Sequence, residues 1–372
     1  MNGAVSQQSW VTKPLIEVAT LQRGHDLPVQ DRTPGPHPIF AANGPVGFHE
    51  SAKCGGPGVV TGRSGTIGKV HFVEGAYWPL NTSLYVTDFH GNHPKWVYYM
   101  LKSFGLERFS QGAGVPTLNR NLVHGEPIRV PPLPEQRRIA AILDQSDALR
   151  AKRREALAQL DSLTQSIFIE MFGDPVVNPK ALALAPFCSV GDLDRGISKA
   201  RPRNAPELLG GPYPLIQTGD VANCDGYVRH HTATYSEIGL RQSKLWPAGT
   251  LCITIAANIA KTGILMFDAC FPDSVVGFKA AQVATVEYVR VWLSFLQKAL
   301  EDAAPESAQK NINLAILRNL NIPVPPLALQ NAFATRVQAV EALKTTHRAA
   351  LKELDALFAS LQHRAFSGQL SA

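Results

Sequence analysis

Apolar residues in this chain follow two different periods, and the change of period divides it. After Pro134 the apolar positions recur at heptad spacing in two rows. One row is Ile142, Leu149, Ala156 and Leu163; the other is Ile139, Ser146, Arg153, Leu160 and Ile167. A second run near the end gives Leu343, Ala350 and Leu357 beside Phe333, Val340, Leu354 and Leu361. Heptads sustained this long predict a long amphipathic helix rather than a strand. Pro134 suits a first helical turn, where its missing N–H costs nothing, and Gly173-Asp174-Pro175 supplies a stop. About 38 residues at 1.5 Å rise make each helix roughly 57 Å long. Elsewhere the apolar runs are short, β-branched and broken by Gly and Pro, as in Gly58-Val59-Val60-Thr61, Lys69-Val70-His71-Phe72-Val73 and Leu251-Cys252-Ile253-Thr254-Ile255. These predict mostly β structure, interrupted by helices near 94–108 and 288–302.

The two helical runs are copies. Residues 128–174 align without a gap on 322–368 at a constant offset of 194, with 17 of 47 positions identical. Val130-Pro131-Pro132-Leu133 matches Val324-Pro325-Pro326-Leu327, and Leu157, Leu160, Asp161 and Leu163 match Leu351, Leu354, Asp355 and Leu357. An amphipathic pattern alone would supply the leucines but not the register with its proline signature, so the chain is duplicated. The segments in front echo each other more loosely: Pro14, Val18 and Leu21 against Pro186, Val190 and Leu193, and 37–48 against 213–224.

A stripe of this length outruns a domain of about 150 residues, so each helix is expected to pack on its duplicate. Ser146, Arg153, Arg336 and His347 interrupt the seam and suit control of register. An antiparallel pair would carry two related domains about a pseudo-twofold axis. Such an arrangement suits a two-part target on duplex DNA.

Composition narrows the class. The chain has 372 residues, 45% hydrophobic and 18% charged, enough for two buried cores and unlike a disordered or membrane composition. There is no long apolar run and no basic-then-apolar leader, so a soluble, unexported protein is expected. Cys54, Cys188, Cys224, Cys252 and Cys270 are odd in number and lack a C-x-x-C pair, which favours reduced structural thiols. The net charge of +6 permits a polyanionic partner but is spread along the chain: 128–174, for example, holds seven basic and seven acidic residues.

Catalytic signatures are absent. No N-P-P-F-like tetrapeptide and no G-x-x-x-x-G-K-[ST] loop occurs, and the Gly62–Lys69 run has the wrong spacing for nucleotide and suits a glycine-bent hairpin. Pro272-Asp273 before Gly277-Phe278-Lys279 lacks the acid a nuclease metal site needs. Neither a metal site nor a nucleophile–base pair is expected.

PPLPEQRRIAAILD at the first helix, the repeated VPPL-helix, GRSGTIGKVHF and YWPLNTSLYV in the first half, and PLIQTGDVAN and CFPDSVVGF in the second occur in one order. With these motifs the whole chain resembles the specificity subunit of type I restriction–modification systems. The resemblance implies an α+β protein with two pseudo-symmetric target recognition domains, mostly β with some helix, separated by two long helices packed as an antiparallel coiled coil. The expected boundaries are 1–132 and 175–326 for the recognition domains, and 133–174 and 327–368 for the helices. It also implies a non-catalytic subunit in a prokaryotic cytoplasm that directs other subunits to a gapped, bipartite double-stranded DNA sequence. Those partners would be two copies of an adenine-N6 methyltransferase subunit, and a nuclease/translocase. No cofactor is expected on this chain: S-adenosylmethionine would sit on the methyltransferase, ATP and Mg on the translocase. The alternatives are a recruiter for methyltransferase alone and a coiled-coil scaffold that binds no DNA. The second helix departs from the first, with Ala328-Leu329 in place of Pro134-Glu135.

Contacts to phosphates need Lys, Arg and small polar groups, and contacts to bases need Arg, Asn, Gln or Asp reaching a groove. The candidates in the first half are Asn43, Lys53, Arg63, Ser64, Lys69, Asn119 and Arg120. In the second half they are Lys199, Arg201, Arg203, Gln217, Thr218, Lys261, Lys310, Asn311 and Asn313. Arg201 and Arg203 stand out because no acid follows in sequence before Glu207.

Overall fold

The computed structural model describes residues 10–112, 114–256, 259–302 and 312–370, with the side chains of 301 and 302 left out. Its helices are α1 (Pro94–Ser103), α2 (Arg120–His124), α3 (Leu133–Phe172), α4 (Thr218–Ala222), α5 (Glu237–Arg241), α6 (Val286–Asp302), α7 (Leu314–Arg318) and α8 (Leu327–Ser367). The chain forms two compact units, Met1–Glu155 with Arg348–Ala372, and Ala156–His347. Each unit therefore holds a globular part and a piece of both long helices.

In the first unit, Val11–Pro14 pairs antiparallel with Pro127–Val130, which returns the chain to the point where α3 begins. Pro131 and Pro132 cannot extend a ladder, and the helix starts directly after them. A four-stranded antiparallel sheet runs in the order Thr20–Arg23, Ser83–Asp88, Gly58–Gly62, Val70–Val73. A three-stranded sheet places His37–Ala41 between Gly44–His49 and Trp78–Pro79. The apolar face of α1, with Trp96, Val97, Met100 and Leu101 all buried, packs in one core with Val59 and Leu84. Ile139, Ala140 and Leu143 of α3 and Phe358 and Ala365 of α8 enter that same core.

The second unit repeats the plan with additions. Leu184–Pro186 pairs with Asn321–Pro323 ahead of α8. A five-stranded sheet runs Gly191–Arg195, Val275–Ala280, Leu251–Thr254, Thr262–Leu265, Gly226–Val228, the last pair parallel. A four-stranded sheet is ordered Ala233–Tyr235, Leu209–Leu215, Ala269–Cys270, Leu245–Trp246. Tyr288, Val289 and Trp292 of α6 share a core with Phe187, Val276 and Phe278, and Phe168, Phe172, Phe333 and Val337 come from the long helices.

A glutamine one turn into each long helix fastens it to its own domain. Buried Gln136 donates to Pro131 O at 2.9 Å and to Asn92 Oδ1 at 2.8 Å, and accepts from His93 N at 2.8 Å. Gln330, at the same place in the repeat, donates to Pro325 O (2.9 Å) and Val283 O (3.0 Å) and accepts from Thr285 N (3.0 Å). Every polar atom of both buried side chains thus has a hydrogen-bond partner.

Within each unit the two long helices run antiparallel. In the first, Ile139 shares its core with Ala365, while Arg150, further along α3, meets Asp355, earlier in α8. In the second, Asp161 meets Lys344 at 2.7 Å, and the rings of Phe168 and Phe333 lie 5.5 Å apart. The facing rows correct part of the predicted seam. Ile139, Phe333 and Val340 are buried, and Leu160, Ile167, Leu354 and Leu361 are half-buried. Leu149, Leu163, Leu343 and Leu357, however, are 46%, 41%, 52% and 50% exposed, and Ile142 is only half-buried. The inward row lies one residue further on: Leu143, Arg150, Leu157, Thr164 in α3 and Val337, Lys344, Leu351, Phe358 in α8. Heptad counting gave these positions to the leucines because Arg150 and Lys344 look like surface residues. Their long apolar stems can lie in a seam while the charged ends find carboxylates. The helix ends also bury their stripe in the domain cores, not only against each other.

Candidate functional site

Three connections of the first domain converge. Asn43 is exposed in the turn between His37–Ala41 and Gly44–His49. Arg63 and Ser64 open the 63–69 connection between the antiparallel strands Gly58–Gly62 and Val70–Val73, which is the run that mimicked a nucleotide loop. A Cβ on Gly62 would meet Thr66 O at 1.7 Å and Ala42 O at 3.0 Å, so only glycine lets the two connections approach. Ser64 also bridges to Thr117, and Gly65 N donates to Pro116 O at 2.9 Å, which brings in the segment leading to Asn119. Asn43, Arg63 and Ser64 are therefore gathered, with exposed Lys69 at the far end of the connection.

Asn119 and Arg120 have structural work as well. Asn119 Oδ1 caps α2 by accepting from Asn121 N at 3.0 Å, and Arg120 Nη1 reaches Leu21 O at 3.5 Å. Lys53 stands apart, its ammonium 5.0 Å from the ring centre of Trp78.

The second domain gathers a different subset. Arg203, Gln217 and Thr218 line one cleft of about 300 Å³ with Ser198, Asn204 and Ser274, over a floor that includes Leu215 and Tyr235. Ser198 is only 7% exposed, and its Oγ has no hydrogen-bond partner among the described residues. The expectation that Arg201 and Arg203 have no acid nearby is corrected. Arg203 Nη2 donates to Asp273 Oδ1 at 2.6 Å, and Arg201 Nη2 lies 3.9 Å from Asp273 Oδ2. The fold brings Asp273 to them across a separation of 70 residues, which no local scan detects. Exposed Lys199 precedes this group.

Lys261 lies elsewhere, in a cleft of about 310 Å³ with Asp225, Arg290 and Lys344. Asn313 caps α7 by accepting from Ile316 N at 2.9 Å, as Asn119 does for α2. Lys310 and Asn311 fall outside the described residues. Among the described residues, no group of three His, Cys, Asp or Glu side chains could hold a metal ion, and no helix is long and apolar enough to cross a membrane.

Protonation states around the first domain are set mainly by burial. Burial lowers the pKa of His71, with Lys69 and Lys102 adding to it, and likewise lowers His124, with Arg120 adding. His124 Nε2 accepts from Leu21 N at 3.0 Å, which requires the neutral ring. Burial also raises the phenol of Tyr99, whose hydroxyl donates to Asp144 Oδ1 at 2.8 Å and ties α1 to α3.

Comparison with known proteins adds to this geometry. A profile of the type I restriction modification DNA specificity domain matches residues 7–159 and again 188–356. The putative type I restriction enzyme MjaX specificity subunit of Methanocaldococcus jannaschii is 20% identical over 326 residues, covering 82% of this chain and 75% of the relative. The EcoprrI specificity subunit of Escherichia coli is 27% identical over 114 residues, 30% of this chain and 28% of that protein. The crystal structure of a type I system S subunit from M. genitalium superposes with a TM-score of 0.64 at 15% identity, covering 98% of this chain and 97% of the other. A chain from a structural study of type I assembly and conformational transition gives a TM-score of 0.55 at 18% identity, covering 97% and 98%. These structural likenesses concern the fold.

Proposed function

Because the chain belongs to the type I restriction modification DNA specificity family, we propose that it directs an adenine-N6 methyltransferase and a restriction translocase to a gapped, two-part DNA sequence. One observation carries this beyond the family assignment. Two related sheet domains are each fastened to a copy of the same helix by equivalent glutamines, while their loops carry different polar residues. What is alike between the halves is the mounting, and what differs is the chemistry offered by Asn43, Arg63 and Ser64 in one and Arg203, Gln217 and Thr218 in the other. Two readers with different side chains suit two half-sites of different sequence. A duplicated mounting suits a partner subunit present in two copies.

The cofactors belong to the partners on this reading, S-adenosylmethionine to the methyltransferase and ATP with Mg to the translocase. The test is methylation-sensitive sequencing of DNA from cells that express the chain with its methyltransferase subunit. A gapped adenine-methylated motif is expected. Replacing 175–321 by the matching domain of a relative should change one half only. Absence of any motif dependent on this chain would refute the reading.

A further inference from the structure

Both domains are built on one backbone frame, and its adjacent side chains have been exchanged. In the first domain Gly24 presses on the chain at Pro79 and Leu80: a Cβ there would lie 2.5 Å and 2.2 Å from their carbonyl oxygens. In the second, a Cβ on Gly196 would lie 2.3 Å from Phe271 O and 2.4 Å from Pro272 O. Gly24 N donates to Ser83 O at 3.0 Å, and Gly196 N to Val275 O at 2.8 Å. These contacts put residue 81 in register with 273, and Asp26 and Ser198 each lie two residues past the matched glycine.

At those registered places the chemistry differs. The first domain carries Asp26 and Asn81, joined by a hydrogen bond from Asn81 Nδ2 to Asp26 Oδ1. Arg63 Nη1 donates to Asn81 O at 3.2 Å beside them. The second domain carries Ser198 and Asp273, and Arg203 holds the Asp273 carboxylate. The frame is fixed by glycines that tolerate no side chain, whereas the pair next to it swaps amide for carboxylate and carboxylate for hydroxyl. Core packing does not dictate the two carboxylates, since Asp26 and Asp273 keep 68% and 40% of their side chains in solvent, whereas Ser198 is buried. Ser198 Oγ is buried and has no partner among the described residues, in the wall of a cleft that Arg203 and Gln217 also line.

We infer that the pair Asp26–Asn81 and the carboxylate of Asp273 are specificity-determining, touching base edges of the first and second half-site respectively, with buried Ser198 shaping the cleft beside Asp273. The inference rests on the proposed DNA-recognition role and names the groups that would carry it. Carboxylates accept from exocyclic amines of cytosine or adenine, and an amide suits adenine. The two places therefore favour different bases at corresponding steps of their half-sites.

The experiment uses the chain co-expressed with its methyltransferase subunit, and reads methylated motifs for the parent and for N81D, D26N and D273N. In each variant, preference at one base of one half-site should fall about tenfold or more, with the other half and the gap unchanged. N81D and D26N should act only on one half, D273N only on the other. Purified variant complexes unfolding at the parental temperature separate altered reading from misfolding. Variant complexes that are folded and methylate the parental motif with unchanged preference would overturn the inference while leaving the recognition role intact. A parent chain that yields no gapped motif would instead defeat the role itself.

Discussion

Arg150 and Asp355 form the same ion pair in one half of the chain that Lys344 and Asp161 form in the other. Arg150 Nε donates to Asp355 Oδ1 at 2.6 Å, and Lys344 Nζ lies 2.7 Å from Asp161 Oδ1. The repeat offset of 194 carries Arg150 onto Lys344 and Asp161 onto Asp355. The third members correspond too, Asp147 beside Arg150 at 2.6 Å and Glu341 beside Lys344 at 3.1 Å. The two triads fix the inward row of each helix one residue past the exposed leucines.

The triads should differ in cost. Lys344 is 6% exposed and faces Glu341, itself 9% exposed, so removing the ammonium leaves a desolvated carboxylate without its nearest cation, although Arg229 still lies 3.4 Å away. K344M should cost about 2–4 kcal/mol. Arg150 has a half-exposed acid in Asp355 and also lies over the Phe358 ring at 4.2 Å, so R150A should cost about 1–2 kcal/mol. Denaturant unfolding of the variants, with D355A added to close a double-mutant cycle, checks the order. Equal losses at 150 and 344 would contradict it.

Replacing Gln136 by leucine strands the His93 N–H and the Pro131 carbonyl inside the protein, and Q330L does the same to Thr285 N and Pro325 O. Each loss should be about 1–3 kcal/mol, the desolvation penalty of groups left unpaired. Hydrogen exchange gives a local readout: protection should fall at His93 in Q136L and at Thr285 in Q330L. A melting temperature unchanged from the parent in both variants would show that water reaches these sites.

The duplication, the two long helices and the β-rich domains were legible because each rests on a local period or a constant offset. The face of the helix was not, because Arg150 and Lys344 read as surface charges until Asp355 and Asp161 are placed opposite them. The site was legible in part. Asn43, Arg63 and Ser64 come together, as do Arg203, Gln217 and Thr218, but Asp273 reaches Arg203 only through the fold. Asn119 and Asn313, picked as DNA contacts, prove to cap short helices, a role that an Asn before an apolar run already signals.

Acid should loosen the first unit through its histidines. Burial is the largest cause of the lowered pKa of His71, His93 and His124. A lowered folded pKa means the unfolded chain binds protons first as pH drops. The stabilisation is therefore complete above the usual imidazole value of about 6.5 and declines as pH falls from there through the folded values. Protection of the Leu21 amide, which donates to His124, should fall between pH 7 and pH 5.5. In H124Q, where an amide oxygen can accept the same bond without titrating, that fall should be smaller. A Leu21 amide equally protected at both values would exclude the effect.

Exposed leucines on the long helices come in equivalent pairs, Leu149 with Leu343 and Leu163 with Leu357. Single exposed leucines are ordinary on protein surfaces, but the same two positions kept apolar in both copies describe a surface presented twice. On the proposed function, a methyltransferase subunit bound in two copies would need two equal seats. L149E and L343E should each leave unfolding within about 0.5 kcal/mol of the parent, since neither side chain is buried. Each should remove one methyltransferase copy from the complex, and the double substitution should remove both. Mass photometry of co-expressed complexes reads this directly, and a double variant that still carries two methyltransferase copies would place the docking surface elsewhere.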